Sequence, residues 1–138
     1  MGRIMAIDYG GKRSGIAVTD PMRIFATGLE AIATAKLLDY IKEYCKKEEV
    51  DIIVFGIPTR MDGSYSAIVS EIKSFSLKVS EALPQLEVDG VDESNTSQQA
   101  VQAMVESGVP KMKRRDKGLI DKVSATLILQ RYLDENNI

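Results

Sequence analysis

The chain has 138 residues, 44% of them hydrophobic and 28% charged, enough for one domain with a real core and too few for two comfortable ones. It holds no histidine and a single cysteine, Cys45. That excludes Ser-His-Asp and Cys-His catalysis, histidine-bearing zinc sites and any intrachain disulfide. The formal net charge of −2 does not advertise a nucleic-acid binder, yet Lys111, Lys113, Arg114, Arg115 and Lys117 form a local basic patch.

In chain order, residues 3–9 read as a first strand, 15–19 as a second joined through Gly10-Gly11, and 24–33 as a third extended segment, an antiparallel opening. Leu37, Leu38, Ile41 and Tyr44 then recur at helical spacing to a stop near Glu49, with Cys45 a small hydrophobe on that helix. Residues 50–55 (VDIIVF) form a short β-branched run that fits a buried parallel strand, left through Gly56-Ile57-Pro58 and the turn pair Asp62-Gly63. Residues 67–83 carry Ile68, Ile72, Phe75, Val79 and Leu83 at intervals of three and four, a helix stopped before Pro84.

Residues 86–91 are the next strand. Thr96 and Gln99 suit a capping box for a helix that stops at Gly108. Residues 109–116 read as a basic loop, and 119–134 as a last helix that packs on the sheet. The order is βββαβαβα, an α/β fold with a mixed five-stranded sheet, expected as one domain over residues 1–138. No apolar stretch is long enough to span a bilayer, and the N-terminus opens on a strand where a signal peptide would show a basic region and an apolar core, so the cytoplasm is expected.

Asp8 closes the apolar run Ile4-Met5-Ala6-Ile7, and a carboxylate leaving a buried strand is costly unless charge or hydrogen bonds meet it. The competing reading is a turn aspartate that prepares the Gly10-Gly11 hairpin. Helical crossovers make the first, fourth and fifth strands parallel, so Asp8 and Glu93, at the ends of the first and fifth, share one edge, where open α/β sheets bind ligands. Two like charges there need a cation or a proton.

Asp121 is the third candidate. Ser124 and Ala125 follow it on one helical stripe and would let the last helix approach the sheet; alternatively Asp121 only complements the helix dipole. Three carboxylates without histidine or thiol suit hard, oxygen-loving Mg²⁺ or Mn²⁺, which can hold a phosphate and activate water, so phosphodiester hydrolysis is the natural reaction. Lys12 and Arg13 beside Asp8, with the basic stretch from Lys111 to Lys117, would neutralise a nucleic-acid backbone. The plainer reading of that stretch is a solvated charge run.

The segments IDYGGKRSGIAVTD, FGIPTRMDGS, VDES and KGLIDKVSATLILQRYL, in this order and spacing, resemble the YqgF family, also called RuvX, whose members look like Holliday-junction resolvases and carry the name pre-16S rRNA nuclease. The resemblance covers nearly the whole chain. It implies a ribonuclease H-like fold with the third strand antiparallel at one side, and an acidic triad on Asp8, Glu93 and Asp121. It also implies a basic side chain at Lys12 or Arg13, a lysine at Lys117 and a substrate-edge loop at Gly56-Ile57-Pro58 with Asp62-Gly63. One departure stands out: Ser94 follows Glu93 where the family commonly has arginine, and serine offers neither charge nor fork geometry to a phosphate.

The leading expectation is a metal-dependent endonuclease acting on structured RNA, in maturation of the 5′ end of pre-16S rRNA, as a monomer or homodimer. Cleavage of branched DNA junctions is the enzymatic rival. A non-catalytic nucleic-acid-binding module in ribosome assembly or transcription is the alternative of another class. An actin-like or sugar-kinase ATPase, read from Asp8-Tyr9-Gly10-Gly11, would need a second lobe of comparable size.

Overall fold

Ile4, Met5, Ala6 and Ile7 are all fully buried, because the strand that carries them, β1 (Arg3–Asp8), has a layer of helices on each face. The computed structural model describes residues 2–58, 63–93, 96–114 and 116–138. β1 is followed by β2 (Arg13–Thr19), β3 (Ala26–Ala33), a single 3₁₀ turn at Thr34–Lys36, and α1 (Leu37–Lys47). Then come β4 (Val50–Pro58), α2 (Gly63–Ala82), β5 (Glu87–Glu93), α3 (Thr96–Glu106), α4 (Lys111–Arg114) and α5 (Lys117–Glu135).

The five strands lie in the order β3-β2-β1-β4-β5. β1 pairs parallel with β4, and β4 with β5, so the expected sharing of one carboxyl-end edge holds. β3 lies at the border and pairs antiparallel with β2, its sheet neighbour. The strand that opposes the other four is therefore β2, which is also antiparallel to β1.

Side chains alternate across this sheet. Met5, Ile7, Ile53 and Phe55 face α1 and α2, where they meet Ile41, Ile72 and Val79. Ile4, Ala6, Val54 and Val91 face α5, where they meet Ala125, Ile128, Leu129 and Leu133. Asp8 continues the Ile4–Ala6 side, so it emerges on the α5 face. Cys45 lies on α1, partly buried against the first of these clusters.

Four expectations need correction. The order βββαβαβα understates the helices after β5, where α3, α4 and α5 follow in turn. The basic stretch is not simply a loop: Lys111–Arg114 make one helical turn in which the Arg114 N–H donates to the Pro110 carbonyl at 3.0 Å. Proline, with its φ preset and no N–H to satisfy, is well placed to open such a turn. β4 does not stop at Phe55, since Gly56, Ile57 and Pro58 continue the ladder against Val91, Asp92 and Glu93, and strand pairing outweighs the local turn signal of Gly and Pro.

The last correction concerns α5, which starts at Lys117 with Asp116 as its cap. The Asp116 carboxylate accepts from the Gly118 and Leu119 N–H groups at 2.8 and 3.2 Å. No acidic residue lies in the first turn of this helix, so Asp121 is not the dipole-complementing residue of the alternative reading. Asp62, Ser94 and Arg115 lie outside the described residues, as does the Thr96 side chain that would form the capping box with Gln99.

Candidate active site

The site forms where α5 crosses the carboxyl ends of the parallel strands. Asp8 pairs with Gly15 across the β1–β2 ladder. A Cβ at Gly15 would sit 2.0 Å from the Asp121 carbonyl oxygen, so the missing side chain is what lets the α5 backbone rest on β2 at that point. Farther along, a Cβ at Gly56 would lie 2.6 Å from Ile128 Cδ1 and 2.8 Å from Glu93 Oε2. Gly56 thus leaves the space over β4 through which the Glu93 carboxylate reaches from β5 toward β1.

Two further contacts tie α5 to β5. Tyr132 donates its hydroxyl to Asp89 at 3.0 Å, and Arg131 donates to the Asp92 carbonyl at 2.7 Å, one residue before Glu93. At the other end the Arg13 Nε donates to Asp121 Oδ2 at 2.9 Å. The turn after Asp8 is fixed as well, since Thr34 donates its hydroxyl to the Gly10 carbonyl and shares a 2.8 Å hydrogen bond with Ser14.

The electrostatics follow from this placement. Burial, then the negative charge of Glu93, then that of Asp121, push the Asp8 carboxyl up to about 8. The other two predicted acidic residues therefore both act on Asp8, and near neutral pH Asp8 holds a proton where no cation is bound. Among the described residues no group of three acidic, histidine or cysteine side chains stands together closely enough to hold a metal ion; in this arrangement Asp121 is held by Arg13.

By its chemistry alone the donor set is of the kind that a hard divalent cation takes. It consists of oxygen atoms, it is partly buried, and it carries more negative charge than its surroundings tolerate. One turn past Asp121, the fully buried Ser124 Oγ has no hydrogen-bond partner among the described residues.

The basic residues divide. Lys12 and Arg13 are exposed at the turn beside Asp8, and Lys117 is exposed one turn before Asp121. Lys111 and Lys113 are exposed on α4, whereas Arg114 is half-buried with its Nε enclosed. Among the described residues, Arg13 is a predicted phosphate contact that the structure pairs instead with Asp121. A cavity of about 370 Å³ runs from Glu93 along α5 between Gln99, Ile128 and Arg131.

Sequence inspection missed Gly15 as a site residue and named Gly56 only within the substrate-edge loop that the resemblance implied, although glycine inside a strand is a recognised sign of close backbone approach. Arg131 gave no such signal, since its role depends on where α5 ends up.

The profile of the family described as "RuvX: Holliday junction resolvase" matches residues 2–135. A protein of Porphyromonas gingivalis named "Putative pre-16S rRNA nuclease" is 48% identical over 134 residues, covering 97% of each chain. One of Bacteroides fragilis with the same name is 44% identical over 138 residues, covering 100% of both. Among solved structures, T. thermophilus RuvC in complex with Holliday junction substrate superposes with a TM-score of 0.57 at 14% identity, covering 99% of this chain and 96% of that one. The fowlpox virus resolvase, in complex with Holliday junction DNA, superposes at 0.55 and 14% identity, covering 97% and 98%. These likenesses establish the ribonuclease H-like fold, and with a family profile matched from residue 2 to residue 135, this chain belongs to the RuvX family.

Proposed function

We propose that this protein is a metal-dependent endonuclease that hydrolyses phosphodiester bonds of structured RNA, acting in maturation of the 5′ end of pre-16S rRNA. The observation that carries the proposal is the gathering of charge around Asp8: a buried carboxyl pushed up to about 8 by Glu93 and Asp121, in a chain without histidine. Relatives at 43–48% identity over nearly their whole length bear the pre-16S rRNA nuclease name. The protein acts in the cytoplasm as a single domain over residues 1–138, as a monomer or homodimer; among the described residues no helix is long and apolar enough to cross a membrane.

Asp8, Glu93 and Asp121 would hold Mg²⁺ or Mn²⁺. When bound, such an ion supplies charge stabilisation to the phosphate and activation of water. The chain's own residues do the rest. Arg13 fixes the Asp121 carboxylate, Arg131 fixes the backbone just before Glu93, and Gly56 leaves the space that Glu93 needs. Lys12, Lys117, Lys111 and Lys113 supply electrostatic affinity for the RNA backbone, with Arg13, Arg114 and Arg115 contributing where substrate draws them in.

A second reading, cleavage of four-way DNA junctions, is favoured by the family's own description as a Holliday junction resolvase. One assay separates the readings. Purified protein is incubated with a pre-16S rRNA transcript and, in parallel, with a four-way junction, in Mg²⁺, in Mn²⁺ and in chelator, with Asp8→Asn as control. Metal-dependent cleavage of the transcript that Asp8→Asn abolishes is expected. Junction cleavage alone would transfer the activity to DNA, and binding without cleavage of either would leave a non-catalytic module.

A further inference from the structure

Asp8 emerges on the α5 face of the sheet, and Tyr9, the next residue, packs on the opposite face. The Tyr9 ring lies 5.4 Å from that of Phe75 on α2, and it is only partly buried against the first core cluster. Beside it is a cavity of about 300 Å³ lined by Tyr9, Ser70, Glu71, Ser74, Phe75 and Lys78, at the lower end of the sizes that hold small organic ligands. Ser70, Ser74 and Lys78 recur every four residues and so form one stripe of α2. Tyr9 and Glu71 both line this opening.

We propose that this cavity receives an unpaired nucleobase of the substrate strand, stacked on Tyr9, its amino-bearing edge toward Glu71 and its phosphate toward Lys78. The inference rests on the nuclease reading for its substrate and deepens it, since it names a nucleotide outside the duplex, next to the strand end that carries Asp8. Tyr9 supplies a rigid aromatic face already braced from below by Phe75, and stacking on such a face is available to any unpaired base. A carboxylate such as that of Glu71 accepts hydrogen bonds and donates none, so it favours cytosine or adenine, which present an amino group, over uracil, whose O4 would face it. Paired bases are excluded, because a base within a duplex cannot present its face to the ring.

The test measures binding in chelator, where cleavage plays no part. An RNA hairpin with a short single-stranded 5′ tail is compared with the same hairpin made blunt, by fluorescence anisotropy. Wild-type protein is expected to prefer the tailed hairpin, and to prefer an adenosine or cytidine tail over a uridine tail. Tyr9→Leu keeps an apolar side chain against Phe75 and removes the ring; it should weaken tailed binding by about 5- to 150-fold, the span of base–aromatic stacking, and leave blunt binding unchanged.

Tyr9→Phe should stay within about twofold of wild type, because it keeps the stacking face. Ser74→Leu fills the cavity from its exposed side without touching the core, so it reports even where Tyr9→Leu unfolds. If Tyr9→Leu, when folded, or Ser74→Leu keeps the wild-type tailed-to-blunt ratio, or if uridine tails bind as well as adenosine and cytidine tails, the proposal is overturned. A wild-type protein that cleaves nothing in Mg²⁺ or Mn²⁺ yet shows Tyr9-dependent tail binding would refute the nuclease reading and leave this site standing.

Discussion

Asp8 carries the sharpest consequences at the scale of single residues. Its carboxyl is held near 8 in the fold against about 3.9 in an unfolded chain, so the metal-free fold binds this proton more tightly than the unfolded state does. Stability therefore falls as pH rises from about 4 to about 8, and the contribution is fully present only below that window. Asp8→Asn, which has no proton to lose, should flatten this slope and melt several degrees above wild type at pH 8 in chelator, as thermal denaturation at a series of pH values will show. The same variant should abolish cleavage. Arg13→Gln removes a partly exposed ion pair, worth at most about 1 kcal/mol, so its melting temperature should barely move while its single-turnover cleavage rate drops, because Asp121 loses the group that orients it.

Among the elements, α5 decides the site, and two glycines under it report how tightly it is seated. A methyl at Gly15 would meet the Asp121 backbone carbonyl, which cannot step aside, whereas a methyl at Gly56 would first meet the Ile128 and Glu93 side chains. Gly15→Ala is expected to cost about 1–3 kcal/mol, as overpacking of a core does, and to lose cleavage with it. Gly56→Ala should cost less stability and still depress cleavage, by displacing Glu93; chemical denaturation alongside a cleavage assay checks the pair. At the N-terminal end of α5, neutralising Lys111 and Lys113, both exposed on α4, should weaken RNA binding and flatten its salt dependence. The log–log slope should change by about 0.7 per lost phosphate contact on single strands or about 0.9 on a B-form duplex. An unchanged slope would mark this stretch as a solvated charge run.

For the whole molecule, binding and chemistry are expected to separate. Glu93→Gln and Asp121→Asn should bind RNA nearly as wild type does and turn over none, whereas the Lys111 and Lys113 variant should cleave normally at saturating substrate; filter binding and multiple-turnover rates distinguish the two. The sequence alone determined the strand and helix order up to β5, the parallel pairing of β1, β4 and β5, and the candidacy of Asp8, Glu93 and Asp121. Those features rest on local periodicity, on the handedness of crossovers and on residue chemistry, all of which can be read along the chain. It also excluded histidine and thiol catalysis, since the chain has neither a histidine nor more than one cysteine. Only the tertiary structure decided that Arg13 pairs with Asp121, that Arg131 holds the end of β5, and that Gly15 and Gly56 make room for the helix and for Glu93. These contacts join residues far apart in sequence, across a helix–sheet interface whose angle and height are set by the packing of the entire α5 face, and no local pattern encodes that geometry.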